Sequence, residues 1–159
     1  MNICGRSFRD HIRLLSPLFA LSAVVWALRW GLDAAGLPLS VVRMFSVTGA
    51  TSLAILIAVW LIHTRDFGSY PNVVFAAFLL VAFEQMLIIA AIVFSVLSGI
   101  GNVFTQPEFS RPNDPSHVKH ILGQLTFGIG AGMLFGAATG CLVLWLLRML
   151  VPKRNAVSG

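Results

Sequence analysis

Charge is scarce in this chain. Asp, Glu, Lys and Arg make up 11% of its residues and only six are acidic, against roughly a quarter charged in soluble domains. With 57% hydrophobic residues and a mean hydropathy of +0.86, there is too little polar surface to clothe a water-soluble core. Cysteine is rarer still. Cys4 is expected in the cytoplasm and Cys141 inside an apolar run, which excludes a disulfide framework. Also missing, in their required contexts, are a phosphate loop, a zinc-protease helix, a dinucleotide glycine fingerprint and a nucleophile elbow. The chain therefore reads as a non-enzyme without a cofactor.

The charge that is present sits beside the ends of apolar runs. A formal +5 spread in this way makes no basic stripe for nucleic acid and reads instead as topology. A membrane-spanning helix needs roughly 20 mostly apolar residues. Four stretches qualify, at 17-36, 38-63, 71-98 and 118-151, with an extracytoplasmic loop at 99-117. The fold expected is all-α: a polytopic membrane protein, a four-transmembrane-helix antiparallel bundle filling 1-159, preceded by a short amino-terminal interfacial helix.

With the amino terminus inside, Arg6, Arg9, Arg13, Arg65, Arg148, Lys153 and Arg154 fall on the cytoplasmic side and Arg29, Arg43, Arg111 and Lys119 on the other. That excess places both termini in the cytoplasm, and the bacterial inner membrane is the expected location. The basic start could pass for a secretory signal, but Arg29 interrupts the expected cleavage region and Asp33 spoils a small-residue site.

Local punctuation sets the boundaries. Ser7 and Asp10 suit a helix start, and Arg6, Arg9 and Arg13 among apolar neighbours suit a helix lying at the membrane surface. Ser16 and Pro17 then read as the cap and first turn of the first span. Asp114 and Pro115 open the fourth span, and Pro152 ends it. The outer loop offers Phe104, Pro107, Phe109 and Pro112 as contact groups.

Glu84 and Gln85 lie in the middle of the apolar run from Val73 to Leu97. A charged group at mid-membrane is unfavourable by roughly 2.5–3.5 kcal/mol on insertion scales, so it faces protein or water and marks a candidate site. Arg29 falls at about the same height as Glu84, Asp33 lies four residues after Arg29, and Arg43 and Gln124 enter the outer half from spans two and four. A polar cluster of Arg29, Asp33, Arg43, Glu84, Gln85 and Gln124 is expected. It serves either as a structural lock built on a buried ion pair or as a proton- or cation-responsive site.

Gly128, Gly132, Gly136 and Gly140 recur every fourth residue in span four, a ridge without side chains against which another helix can lie closely. Ala91, Ser95 and Gly99 repeat that spacing in span three and are the expected opposing surface, a docked neighbour being the alternative. His117 and His120, with Asp114 or Glu108, form at best a weak metal site. His11 and His63 read as cytoplasmic interface residues.

Two functions fit. One is a non-catalytic subunit that packs through its glycine-rich fourth helix into a larger membrane assembly or a homo-oligomer. The other is a small proton- or cation-coupled transporter or channel using Glu84. In size and in relying on one membrane carboxylate the chain resembles the small multidrug transporters, although theirs is in the first span and this one in the third. That likeness implies coupled exchange at the carboxylate.

Overall fold

A computed structural model describes residues 2–3, 5–106 and 117–151. Residues 2–3 (β1, Asn2–Ile3) pair antiparallel with β2 (Arg6–Ser7) around Gly5, whose φ of 86° a glycine adopts freely. Everything else of regular structure among the described residues is helical: α1 (Phe8–Ala34), α2 (Leu39–Met44), α3 (Val47–Thr64), α4 (Tyr70–Ser98), α5 (Val118–Gly123) and α6 (Ile129–Leu150), with a wide π-turn at Gln124–Gly128 joining the last two. Four helical stretches, Phe8–Ala34, Leu39–Thr64, Tyr70–Ser98 and Val118–Leu150, are long and apolar enough to cross a membrane.

The expected separate interfacial helix does not exist. Ser7 and Asp10 form a reciprocal capping box, the Asp10 N–H donating to Ser7 Oγ and the Ser7 N–H to Asp10 Oδ2, and the helix begun there runs unbroken to Ala34. Pro17 lies inside it, not at its first turn. A proline removes the N–H that would reach the carbonyl four residues back; here the Ser16 hydroxyl donates to that carbonyl, Arg13 O, at 3.3 Å. The second span is also revised. It breaks at Phe45 and restarts at Ser46, whose side chain caps Gly49 N at 3.1 Å.

Helix α4 matches its expected limits and ends on Gly99 at φ 70°, a left-handed cap. The fourth helical stretch begins at Val118, after His117 in the left-handed region at φ 53°, rather than at Pro115. Asp114 and Pro115, like Cys4, Pro107, Glu108, Phe109, Arg111, Pro112, Pro152, Lys153 and Arg154, lie outside the described residues. Its π-turn coincides with a Thr126 hydroxyl donating to Leu122 O at 2.7 Å, a local bond of the type that competes with the helical ladder.

The apolar interior is in two parts. One unites Leu15 and Leu18 with Ala54, Ala58, Ile62, Val73, Leu80 and Leu144; the other unites Val42, Val47, Ala91, Ile92, Val103 and Phe104. At the end nearer the first part, Arg6 donates to the carbonyls of Phe67 and Asp66, Arg148 to that of Gly68, and His63 Nε2 lies 3.1 Å from Val151 O. The amino-terminal hairpin, the α3–α4 connection and the end of α6 thus meet. His11 and His63 at this end are both buried: the His11 ring nitrogens lie 2.9 Å from Ser7 O and 3.1 Å from Asn72 Oδ1, and its ring makes T-shaped contacts with Phe67 and Phe75.

Candidate functional site

Each of the first three long helices changes from apolar to polar where the two halves of the interior meet. Leu18 and Trp26 are separated by Ser22 on α1, Ala54 and Val47 by Thr51 on α3, and Val81 and Ile88 by Glu84 and Gln85 on α4. These four residues are all buried, so a polar layer crosses the bundle at mid-height. Several of its atoms find no protein hydrogen-bond partner: Ser22 Oγ, Thr51 Oγ1 and Gln85 Oε1, joined by Trp26 Nε1 and Arg29 Nε. Ser22, Trp26 and Arg29 stand four and three residues apart and share one face of α1.

Glu84 is 2% exposed. Its Oε1 accepts a hydrogen bond from the Thr48 hydroxyl at 2.6 Å. The Thr51 hydroxyl acts on the same carboxylate from the next turn of α3 without reaching hydrogen-bond geometry. The break at Ser46 is what sets this up, because it starts α3 with Thr48 in its first turn. Glu84 forms the back of a cleft of about 250 Å³ walled by α3, α4 and α6, whose other polar groups are the hydroxyls of Thr48, Thr51, Ser52 and Thr139. Gly132 and Gly136 form part of its wall. The exposed members of the lining, Ser52, Leu56, Phe135 and Thr139, belong to α3 and α6, so the cleft opens between those two helices.

The expected cluster is divided. No ion pair joins Arg29 to Glu84 among the described residues. Arg29 instead lines a second cavity of about 170 Å³ with Thr48, Gln85, His120 and Gln124, its guanidinium 5.1 Å from the Phe104 ring centre. Gln85 and Gln124 do come together, since both side-chain oxygens occupy the space a β-carbon on Gly128 would need, and Gln124 Nε2 lies 3.2 Å from His120 Nε2. Asp33 points elsewhere, accepting the Val103 N–H at 2.7 Å. Arg43 is exposed on α2, near enough to Arg29 to repel it. Thr48 lines both cavities and was not among the residues singled out; its only sequence signal is a hydroxyl two places after the Ser46 cap.

The glycine ridge is turned inward, against α4 and α3 of the same chain, the first of its two readings. A β-carbon on Gly140 would meet Val73 Cγ1 at 2.8 Å and Val59 Cγ2 at 3.3 Å; on Gly136, Ile55 Cδ1 at 2.8 Å and Ala77 at 3.5 Å; on Gly132, Val81 Cγ1 at 2.8 Å; on Gly128, Gln85 Oε1 at 2.7 Å. The α4 partners rise by fours from Val73 to Gln85 as the glycines fall by fours from Gly140 to Gly128. Ala91, Ser95 and Gly99 are therefore not the opposing surface. They hold the turn that follows α4: Asn102 Nδ2 donates to Ala91 O at 2.8 Å and the Ser95 hydroxyl to Ile100 O at 2.7 Å, while Gly99 caps the helix. Within that turn Val103 and Phe104 are buried, so Phe104 is core and not an outward contact group.

Among the described residues no group of three His, Cys, Asp or Glu side chains gathers as a metal site; Glu108 and Asp114, named with His117 and His120, lie outside them. No protein-family model, characterised protein or solved structure matches the chain.

Proposed function

We propose that the chain is an integral protein of the bacterial inner membrane, an antiparallel four-span bundle with both termini cytoplasmic, that binds a proton or monovalent cation at Glu84 and acts as a small coupled transporter. The observation that carries this reading is the setting of Glu84. A structural lock built on an ion pair would show a basic side chain against the carboxylate, and none is there among the described residues. Glu84 has a single hydroxyl donor and a hydroxyl-lined cleft that opens sideways between α3 and α6. Carboxylate and hydroxyl oxygens are the groups that hand over protons and ligate hard cations. Unpartnered polar atoms on α1, α3 and α4 at the same height support a hydrated path, because such atoms in a membrane interior otherwise stay unsatisfied at a cost of several kcal/mol each.

The topology is supported by the meeting of the amino-terminal hairpin, the α3–α4 connection and the end of α6, which gathers Arg6, Arg9, Arg13, Arg65 and Arg148 toward one end of the bundle. A second reading, a non-catalytic subunit in a larger membrane assembly or a homo-oligomer, keeps one support: the outer face of α6, where Leu134, Phe135, Leu142 and Leu150 are all exposed. Its glycine ridge is occupied within the chain.

The test is reconstitution into liposomes with an entrapped pH dye. With an imposed potassium diffusion potential, wild-type protein carries protons, read by the dye, or sodium, read as uptake of radiolabelled sodium, and Glu84→Gln loses that flux. Identical flux in Glu84→Gln, or none from wild type with either ion, refutes the transporter reading. A defined oligomer in mild detergent together with no flux favours the subunit.

A further inference from the structure

The second cavity lies beneath the turn that follows α4, where α1, α3 and α4 approach the helical segment leading into α6. We propose that it binds an anionic oxygen group, a phosphate or a carboxylate, with the Arg29 guanidinium as counter-charge. Arg29 is half-buried, rests on the Phe104 ring and forms no ion pair among the described residues. Its Nε is buried with no acceptor. Asp33, one turn further along α1, is close enough to feel its charge, but that carboxylate is engaged by the Val103 amide. Arg43 adds a second positive charge nearby. The buried Nε of Arg29 is thus a donor left without an acceptor among the described residues, at the wall of a cavity.

Its other polar groups complete a site for oxygen. Gln85 is 7% exposed and its Oε1 has no partner; half a turn of the amide puts Nε2, a donor, in that place. Gln124 Nε2 shares one hydrogen with His120 and keeps a second. A planar guanidinium with amide donors around it matches a carboxylate or phosphate, which takes paired N–H groups. The volume of about 170 Å³ admits a small polyatomic anion and not a whole lipid. Arg29 stands five residues before the end of α1, about 7.5 Å along the axis. In the proposed bundle this is headgroup depth, so the anion is supplied either by a phospholipid or from solution. The site is distinct from the Glu84 cleft, with Thr48 as the wall between them.

The experiment is thermal unfolding of the full chain, delipidated in a nonionic detergent. Two probes are titrated separately against chloride at matched ionic strength: inorganic phosphate, and phosphatidylglycerol doped into the micelles. Saturable stabilisation by phosphate alone assigns a dissolved anion, by phosphatidylglycerol alone a lipid headgroup, and by both a general oxyanion site; in each case Arg29→Gln abolishes the shift and Arg29→Lys retains part of it. The proposal is overturned when neither probe exceeds chloride, or when Arg29→Gln responds as wild type does. Should Arg29→Gln fail to fold, Gln85→Leu decides: it keeps the guanidinium but loses an amide donor, so several-fold weaker binding supports the site and undiminished binding overturns it.

Discussion

Replacing the glycines of α6 one at a time by alanine tests how closely α4 and α6 approach. Four positions on one helix receive the same added methyl in four different surroundings. At Gly140 the methyl meets Val73 Cγ1 at 2.8 Å and Val59 Cγ2 at 3.3 Å, stiff β-branched side chains from two helices, so neither wall can yield without moving backbone. Overpacking costs about 1–3 kcal/mol, here toward the upper end of that range, about 2–3 kcal/mol, and alanine returns about 1 kcal/mol of helix propensity; the net loss expected for Gly140→Ala is about 1–2 kcal/mol. At Gly132 only Val81 obstructs, and the two effects nearly cancel, within about 1 kcal/mol. At Gly136 the obstruction is the terminal methyl of Ile55, which can swing aside, so the change is close to zero. Gly130 has nothing within 4 Å, and Gly130→Ala stabilises by up to about 1 kcal/mol. Reversible unfolding in mixed micelles with increasing dodecyl sulfate, followed by helical circular dichroism, ranks the four. Val73→Ala added to Gly140→Ala removes the obstructing methyl and restores about 1 kcal/mol relative to additivity. A Gly130→Ala protein as destabilised as Gly140→Ala, or four indistinguishable variants, refutes the close approach.

Thr48→Val leaves the Glu84 carboxyl without a protein hydrogen bond among the described residues and lowers stability by about 1–3 kcal/mol in the same unfolding assay; Thr48→Ser keeps the donor and most of the stability, and a Thr48→Val effect undiminished in a Glu84→Leu background, which lacks the acceptor, would separate the two residues. Asn102→Ala removes the Nδ2 bond to Ala91 O at 2.8 Å and the acceptor for Phe104 N at 2.9 Å, about 2 kcal/mol together. Faster hydrogen exchange at Val103 and Phe104, with α6 unchanged, is the expected readout; unchanged exchange would remove Asn102 as the anchor of that turn.

Hydropathy alone located the four long helices, because the need for roughly 20 apolar residues leaves little choice in a chain this poor in charge. Boundaries depended on particular side chains. Pro17 looked like a start because a mid-helix proline orphans a carbonyl, and the Ser16 hydroxyl that meets it, three residues on from Arg13, is a detail of rotamer and not of composition. The break at Ser46 was legible in principle as a serine three residues before a glycine, but it lies inside an unbroken apolar average. The polar residues at mid-height were visible one by one, whereas their partners were not: counting from Pro17 and Pro71 put Arg29 level with Glu84, but α1 starts well before Pro17 and Ser22, seven residues before Arg29, is what shares the Glu84 layer, and depth says nothing of which way each helix is rotated. The same blindness affected the glycines. Their ridge was plain from a spacing of four, yet its partner was set by register, and Val73, Ala77, Val81 and Gln85 hold that spacing as well as Ala91, Ser95 and Gly99 do.

Rotation also explains why the carboxylate and the guanidinium stay apart. Gln85 and Glu84 are neighbours on α4 and so face about 100° apart around the helix. Gln85 is drawn to Gly128, where the absent side chain admits its amide, and that contact fixes Glu84 toward α3 and the cleft beside Gly132 and Gly136. The glycine ridge thus sets helix distance and also aims the acid. Arg29, on the Gln85 side, rests on an aromatic ring and shares a cavity with two side-chain amides, and Thr48 lies between the two cavities. Had they paired, Glu84 would be committed to a fixed partner and its affinity for any mobile ion would be spent in the fold. With the Thr48 hydroxyl as its sole bonded neighbour among the described residues, the carboxylate keeps the lone pairs that the proposed proton or cation would need, on the side of the opening between α3 and α6.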